Sequence, residues 1–391
     1  MSGTSTPSIW AFRLVVGALA AVTVIGIALL WPDGSSDVDL AAAPTGETEP
    51  GRIVALEANP CPPPIQGECV EGRVLIEGGQ EAGKEVTVEL SAGGPVPDFD
   101  VGDEVRVGKA SFGGSTPTYS VVDFERRAPM VWLAVIFIAL VILFGRLRGV
   151  LSLVGLVLSL AAVVVFIVPA ILDGRPPLAV ALIGSMAVML ITILLSHGRG
   201  PKSLAAILGT AASLLLVGLL ASLATGITNL TGFSSDEAAL LAVNDPGLSI
   251  SGLLVAGIII GALGVLDDVT ISQASTVLAL KAAAPDEGFG SLYRRAIEVG
   301  RDHVSATVNT LVLAYVGSSL PLLLIFGVGE LGAWDTVNLE IVAKEIVAML
   351  VGSIGIIAAV PLTTALAAWM AGSIPSEQLA ESVGDGGHHH H

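Results

Sequence analysis

Residues 248–275 read LSISGLLVAGIIIGALGVLDDVTISQAS, an apolar run that ends in two adjacent aspartates. The run predicts a membrane-spanning helix, because about 20 apolar residues are needed to cross a bilayer. If Asp267 and Asp268 lie inside the bilayer, they are energetically unfavourable there and become a functional hypothesis by default. If the helix leaves the bilayer at this point, they are ordinary interfacial charges. The sequence leaves both interpretations open.

The composition assigns the chain to a class. Of its 391 residues, 53% are hydrophobic and only 14% are charged, whereas soluble proteins carry about 25% charged residues. We therefore expect a membrane protein. The formal charge of −17 argues against a nucleic-acid partner, because binding phosphates requires a basic face. Nucleotide-binding, zinc-protease and serine-hydrolase motifs are absent from the sequence, so we predict no enzyme activity, no cofactor and no metal site.

Hydropathy predicts about eight transmembrane helices. The first precedes a long polar segment and is interpreted as an uncleaved anchor, with a cleaved signal peptide ending near 41–43 as the alternative. The predicted spans are 11–31, 129–145, 149–172, 177–196, 203–226, 248–270, 303–327 and 342–371.

The basic residues predict the orientation of these helices, since lysine and arginine accumulate in cytoplasmic loops. With a cytoplasmic N-terminus, the short outer loops carry only Arg175 and Lys344. An even number of helices then makes the C-terminus cytoplasmic as well. The inner loops carry Arg146, Arg148, Arg199, Lys202, Lys281, Arg294, Arg295 and Arg301.

A small all-β domain is predicted between the first two helices. Five short strands separated by Gly, Pro and Asp turns are typical of an OB- or SH3-like barrel, and residues 33–126 would be extracytoplasmic. Cys61 and Cys69 form either a disulfide, as an oxidising compartment allows, or two free thiols. The predicted domains are an anchor (1–32), an acidic linker (33–49), the β-domain (50–126), a seven-helix membrane domain (127–372) and a cytoplasmic tail with a His-tag remnant (373–391).

Helical phasing separates the two aspartates. Asp268 continues a stripe formed by Gly257, Gly261 and Gly264, whereas Asp267 points about a quarter-turn away. Small residues at this spacing allow another helix to approach closely. We therefore predict helix packing along the glycines, and Asp268 as the better candidate for a buried carboxylate.

The following span supplies further polar groups. Asp302, Ser305 and Asn309 share one face of it. Because this helix runs antiparallel to the preceding one, Asp302 and Asn309 are expected at the depth of the aspartates. Alternatively, Asp302 is a charge near the helix N-terminus that interacts favourably with the helix dipole, and Asn309 forms an interhelical hydrogen bond. Such oxygen ligands suit a proton or a small cation. The predicted pathway comprises Asp267, Asp268, Asp302, Asn309, Ser272, Gln273 and Ser305.

Two stretches carry a family resemblance, GALGVLDDVTISQAS at 261–275 and RRAIEVGRDHVSATVNTLVLAYVGSSLPLLLIF at 294–326. They resemble the YibE/F family of multi-spanning bacterial membrane proteins, and the likeness extends over about 130–372. It implies a bacterial plasma (inner) membrane protein and no particular activity. The helix pattern is also similar to that of SecD/SecF and related proton-driven permeases, which implies that the aspartates carry protons. That family has six helices instead of eight.

These observations lead to a functional hypothesis. The chain is expected to be an ion- or proton-coupled permease with a polar site between the helices at 248–270 and 303–327. The alternative is a non-transporting membrane scaffold or assembly factor whose exported β-domain binds a partner. The lipid bilayer is an expected partner, and both hypotheses are compatible with a homo-oligomer or with a protein bound through the exported domain.

Overall fold

The computed structural model describes residues 9–34, 48–61, 68–92, 97–110, 118–329 and 332–374. The chain divides into two compact units, which are described separately. One comprises Met1–Val38 with Gly145–His391, and the other is Asp39–Phe144.

The smaller unit contains a five-stranded antiparallel sheet with the strand order β3-β2-β1-β4-β5. Five strands are thus found where five were predicted. Their bounds are β1 Thr48–Pro60, β2 Glu68–Ile76, β3 Glu85–Ala92, β4 Glu104–Ala110 and β5 Thr118–Phe124. We call residues 48–124 the β-domain.

The β-domain forms because its aliphatic side chains recur at every second position, which places them on one face of the sheet. Val74 and Ile76 of β2, like Val105 and Val107 of β4, are almost fully buried in this way. Gly51 of β1 lies against them, and a Cβ atom there would stand 2.7 Å from the Val74 side chain. The sheet curves into a half-barrel around this core. The core residues are Ile53, Val74, Ile76, Val86, Val88, Leu90, Val105 and Val107.

A polar network ties β4 and β5 to the turn before β3. Glu81 in that turn accepts hydrogen bonds from Lys109 (2.6 Å) and from the Tyr119 hydroxyl (2.5 Å). Lys84 donates to the Tyr119 oxygen at 2.6 Å. The hydrogen bond from Lys109, followed by that from Tyr119, lowers the pKa of Glu81 to about 2. Elsewhere in the domain, Cys61 and Cys69 are joined in a disulfide with their Cα atoms 4.9 Å apart.

The other regular elements of the described structure are helices. A single π-helical turn, Val163–Ile167, joins α2 to α3. The bounds are α1 Ile9–Leu30, α2 Arg127–Ala162, α3 Val168–Leu172, α4 Pro177–His197, α5 Pro201–Ile227, α6 Asp236–Asn244, α7 Ile250–Ala283, α8 Phe289–Ser318, α9 Leu320–Val328, α10 Ala333–Asn338 and α11 Glu340–Ala371.

Six helical segments of the described chain are long and apolar enough to cross a membrane, and there are seven if α8 and α9, bent by 63° at Ser319, form one span. The segment Arg127–Leu172 counts here as one span of 46 residues. Two spans, 129–145 and 149–172, were predicted within it. Arg146 separates them with a non-helical backbone (φ 50°, ψ −131°), and the boundary between the two compact units falls beside it.

The larger unit is a bundle in which α5, α7 and α11 pack at the centre, with α4, α1 and α8 around them. Two sets of contacts define its ends. Phe12 and Trp369 pack edge-to-face with ring centroids 5.4 Å apart, so the start of α1 meets the end of α11. At the opposite end, Arg175 pairs with Asp33 at 2.6 Å. We call these the Trp369 end and the Arg175 end.

Buried hydroxyl and amide groups connect the central helices. Thr210 of α5 and Thr270 of α7 lie 2.6 Å apart, and both are fully buried. The Gln273 amide of α7 donates to Thr364 of α11 at 2.7 Å and to the Ala296 carbonyl of α8 at 2.9 Å. Within lipid there is no water to replace these partners, so the polar groups set the register of α5, α7, α8 and α11.

The Glu81 network predicts a pH-dependent contribution to the stability of the β-domain. The carboxyl has a lower pKa when folded than its ordinary value of 4.5, so its network stabilises the domain above about pH 4.5 and loses this effect as pH falls towards 2. Glu81→Gln should therefore speed digestion of the β-domain by pepsin at pH 4.5 and have a much smaller effect at pH 2. The measurement is the digestion rate of the full chain in detergent across this range.

Glu71→Gln is the matched control for this experiment. Glu71 is exposed, and its digestion profile should follow the wild type at every pH. The assigned role of Glu81 would be contradicted if the digestion rate of Glu81→Gln, divided by that of the wild type, stayed constant from pH 4.5 to 2.

Candidate functional site

The two aspartates lie in the middle of α7. This helix runs without interruption from Ile250 to Ala283, whereas the sequence predicted that the span ends at 270. At a rise of about 1.5 Å per residue, Asp267 and Asp268 are roughly 25 Å from either end. They are therefore central residues of a long helix and not residues at its terminus.

The glycine stripe and Asp268 face outwards from the bundle. Asp268, Gly257, Gly261 and Gly264 are all exposed. A Cβ atom at Gly257 or Gly264 would meet no described atom within 4 Å, and one at Gly261 would meet only the Tyr315 hydroxyl, at 3.5 Å. Within the described chain the stripe is approached only at Gly261, by Tyr315 of α8, and Asp268 is exposed and not buried as predicted. Packing of these glycines against a helix outside the chain stays a prediction.

The glycine stripe is exposed because helical phasing identifies which residues share a face of a helix, but not which face packs against the neighbouring helices. The opposite face of α7 carries the large aliphatic side chains, among them Ile259, Leu266 and Val269, and these are fully buried or nearly so. Burying large aliphatic side chains fills far more volume with dispersion contacts than burying glycines does. The face with the large aliphatic side chains therefore lies towards the bundle interior.

Asp267 is the carboxylate that contacts a neighbouring helix. It is partly buried, and its Oδ2 atom accepts a hydrogen bond from Thr192 of α4 at 2.9 Å. Its Oδ1 atom is buried and has no hydrogen-bond partner among the described residues. The polar site at Asp267 thus lies between α4 and α7 and not, as predicted, between α7 and α8.

A cavity of about 200 Å³ adjoins Asp267. Ser196 and His197, at the last turn of α4, line it together with both aspartates. Because α4 ends at His197, the cavity lies towards the Trp369 end of the bundle. The complete lining is Thr192, Ile193, Ser196, His197, Gly264, Asp267, Asp268 and Ile271.

The hydroxyl of Thr192 is placed to serve either protonation state of Asp267. Besides the carboxylate, it lies 3.0 Å from the Val188 carbonyl. A hydroxyl has one proton and two acceptor positions. It therefore donates to an ionised Asp267, or it donates to Val188 while accepting the proton of a neutral Asp267. The contact can be kept through gain and loss of a proton.

The polar residues predicted on α8 do not join Asp267. Asp302, Ser305 and Asn309 are exposed on that helix, and the Ser305 hydroxyl donates to the Arg301 carbonyl at 3.1 Å. The predicted pathway that joins Asp302, Ser305 and Asn309 to the two aspartates is therefore not formed within the described chain. Within the part of the chain that the structure describes, no group of three or more His, Cys, Asp or Glu side chains is arranged to hold a metal ion.

The remaining predicted site residues connect α7 to its other neighbours. Ser272 lies 3.3 Å from the His303 Nε2 atom of α8. Gln273 is buried at the junction of α7, α8 and α11, where a Cβ atom at Gly300 would come within 2.8 Å of its amide oxygen. Gln273 thus joins three helices and does not line the cavity at Asp267.

Sequence reasoning missed the contribution of α4. Thr192, Ser196 and His197 stand in the stretch ITILLSHG at 191–198, where a single threonine among aliphatic residues gives no distinctive signal. The sequence did contain one usable signal, the spacing of the polar residues. Thr192 and Ser196 are one helical turn apart and therefore lie on the same face of the helix.

The comparisons with known proteins complete this description. Residues 133–373 match the model of a family described as YibE/F-like protein. The chain belongs to this family. The match includes α4, α7, α8 and α11, and hence every helix that contributes to or borders the site. No curated protein and no solved structure matches the chain. As a YibE/F-like protein it is a membrane protein with several transmembrane helices.

The assignment of Asp267 to the α4–α7 interface predicts a pattern of cross-linking. With cysteines at 192 and 267, a short bis-methanethiosulfonate linker should connect α4 to α7, because the native side chains are in hydrogen-bond contact. With cysteines at 267 and 309, it should not. The products are resolved as proteolytic fragments joined by the linker.

A positive control shows that α7 and α8 can be linked at all. Cysteines replacing Ser272 and His303, which are 3.3 Å apart, should react. Efficient linkage of 267 to 309 and none of 192 to 267 would show that Asp267 faces α8 instead.

Proposed function

We propose that this YibE/F-like protein is an ion- or proton-coupled permease in which Asp267 is the ion-responsive group. One observation carries the proposal. A carboxylate in the middle of α7, a helix long and apolar enough to cross a membrane, has one oxygen bonded to Thr192, one oxygen without a described partner, and a cavity beside it. An acidic side chain within a membrane helix is rare and marks ion or proton pathways.

Asp268 takes a supporting role in this proposal. It lines the same cavity but is exposed on the outward face of α7. Two carboxylates on adjacent residues repel each other when both are ionised, which favours a proton or cation bound at one of them. His197, also in the lining, supplies a third titratable group, at the end of α4.

We infer a topology of eight spans for the part of the chain that the structure describes. It results if the break at Arg146 separates two spans in Arg127–Leu172 and if the bent pair α8 and α9 crosses once. Both termini are then on one side, and the Trp369 contact between the start of α1 and the end of α11 supports this. The distribution of basic residues favours the cytoplasm of a bacterial cell for that side, with the OB- or SH3-like β-domain outside.

With this orientation, the cavity at Asp267 belongs to the cytoplasmic half of the bundle, since it extends along the last turns of α4. A proton released from Asp267 would leave past Ser196 and His197. Alternating access then requires a rearrangement that opens Asp267 to the other side, for which the α4–α7 contact is the element to move.

Proteoliposomes provide the test of proton coupling. The purified protein is reconstituted with an interior pH-sensitive dye, a pH gradient is imposed, and valinomycin with potassium compensates the charge. Wild-type protein should accelerate proton entry, and Asp267→Asn should reduce the protein-dependent rate at least roughly 100-fold, as loss of an essential proton-transfer group does.

Asp268→Asn is the matched control, because it removes the same charge from the adjacent exposed position. It should retain a substantial share of the flux. Undiminished flux in Asp267→Asn would remove this residue from the mechanism. The absence of any protein-dependent flux in the wild type would contradict proton permeation and favour the scaffold alternative.

A further inference from the structure

A second cavity, of about 570 Å³, lies at the Trp369 end of the bundle, beside the turn that joins α4 to α5. This turn and its flanks read HGRGPK at 197–202 and form one wall of the cavity. The second half of α2 forms the other wall. It packs against α4 at Gly155, where a Cβ atom would lie 3.9 Å from the Thr192 Cα atom. The volume is in the range of ligand sites.

Three cationic side chains line this cavity. They are Arg148 from α2, Arg199 from the turn and Lys202 from the first turn of α5. Arg148 and Arg199 are exposed and Lys202 is half-buried, so all three are accessible to a bound molecule. The charges of Lys202 and Arg148 both act on the ring of His197, which lies in the same lining. The basic residues therefore converge on one small volume.

The lining of the cavity contains no acidic side chain. Arg199 and Lys202 form no ion pair with any residue that the structure describes. The adjoining cavity shares His197 and contains Asp267 and Asp268, but neither aspartate is ion-paired with a described residue. The positive charge of the basic cavity is thus not balanced by a contact within the described chain, and it favours an anionic ligand.

The preference for lysine and arginine on the cytoplasmic side accounts for basic residues at this end of the bundle, but not for their lack of partners. Other basic residues at the same end are engaged within the chain. Lys281, at the end of α7, donates to two backbone carbonyls of the following loop, at 2.6 Å and 2.8 Å. Arg295 of α8 pairs with Glu287. Arg199 and Lys202 differ from these residues, which indicates a partner outside the chain.

The α2 wall adds an apolar side to the cavity. Leu147 and Leu151 of α2 and Leu195 of α4 belong to the lining, and Leu147 is 74% exposed. Further along α2, Val150 and Val154 are exposed as well, as expected for a helix surface in contact with lipid tails. A ligand that satisfies both walls has an anionic head and an apolar tail.

We propose that this cavity binds the head group of an anionic phospholipid. The phosphate would accept hydrogen bonds from Arg148, Arg199 and Lys202, while the acyl chains extend past Leu147 and Leu151 along α2. The planar guanidinium group presents a fork of donors that fits phosphate oxygens. Basic pockets between transmembrane helices on the cytoplasmic side bind lipid head groups in this way, and the dipole of α5 adds partial positive charge at its first turn.

Native mass spectrometry of the full chain, released from detergent micelles, tests this proposal because it counts the lipid molecules on each protein molecule. The probes are phosphatidylglycerol and phosphatidylcholine with identical acyl chains. Phosphatidylglycerol should bind at least tenfold more tightly. Replacing both Arg199→Gln and Lys202→Gln should weaken phosphatidylglycerol binding by at least roughly tenfold, as expected for the loss of two cations beside a lipid phosphate.

The double variant Arg294→Gln with Arg301→Gln is the matched control. It removes the same charge from exposed positions of α8 that are outside the lining of the cavity, and it should bind phosphatidylglycerol like the wild type. Equal weakening in both double variants would show only a general attraction to anionic lipid and would overturn the site. Equal binding of the two lipids to the wild type would overturn it as well.

A further probe, glycerol 3-phosphate, distinguishes a lipid head group from a free phosphate compound. It has a phosphate but no acyl chains, so it should not displace phosphatidylglycerol at equal concentration. Displacement would overturn the lipid assignment. If the double variant at the cavity aggregates, Arg199→Gln alone is used, since Arg199 is exposed in a turn, and unchanged phosphatidylglycerol binding would then overturn the proposal. Lipid binding is measured without a pH gradient, so its outcome is independent of the proposed permease function.

Discussion

The hydrogen bond between Thr192 and Asp267 is the contact on which the functional account depends. It joins α4 to α7 at a carboxylate in the centre of a long apolar helix. In a membrane interior such a group must find its partners within the protein. The same requirement explains the Thr210–Thr270 and Gln273–Thr364 contacts, but those are closed pairs in the core. Only the Thr192–Asp267 contact adjoins a cavity and leaves a carboxylate oxygen without a described partner.

The sequence predicted the architecture well, because the signals concerned are local. Runs of about 20 apolar residues and alternating aliphatic residues depend on nothing outside their own segment. The five strands occur where expected, and every predicted span overlaps an apolar helix of the structure, although the number and bounds of the helices differ. The membership of the YibE/F-like family was also predicted, from the two stretches around Asp267 and His303. The helix count was harder, since the break at Arg146 is a single non-helical residue within one continuous 46-residue apolar segment.

The candidate site was predicted only in part, because it depends on which helices are neighbours. Phasing correctly separated Asp267 from Asp268, but it assigned the wrong one to the interior. Glycine spacing shows that close approach is permitted, whereas the volume of Ile259, Leu266 and Val269 decided which face is covered. The partner helix could not be read from the chain either, since Thr192 precedes Asp267 by 75 residues.

The central claim is that Asp267 gains and loses a proton inside the bundle. Infrared difference spectroscopy of the reconstituted protein between acidic and neutral pH measures this directly, through the carbonyl band of protonated carboxyl groups. The account predicts a band that is present in the wild type and in Asp268→Asn and is missing from Asp267→Asn. Identical difference spectra for the wild type and Asp267→Asn would contradict it.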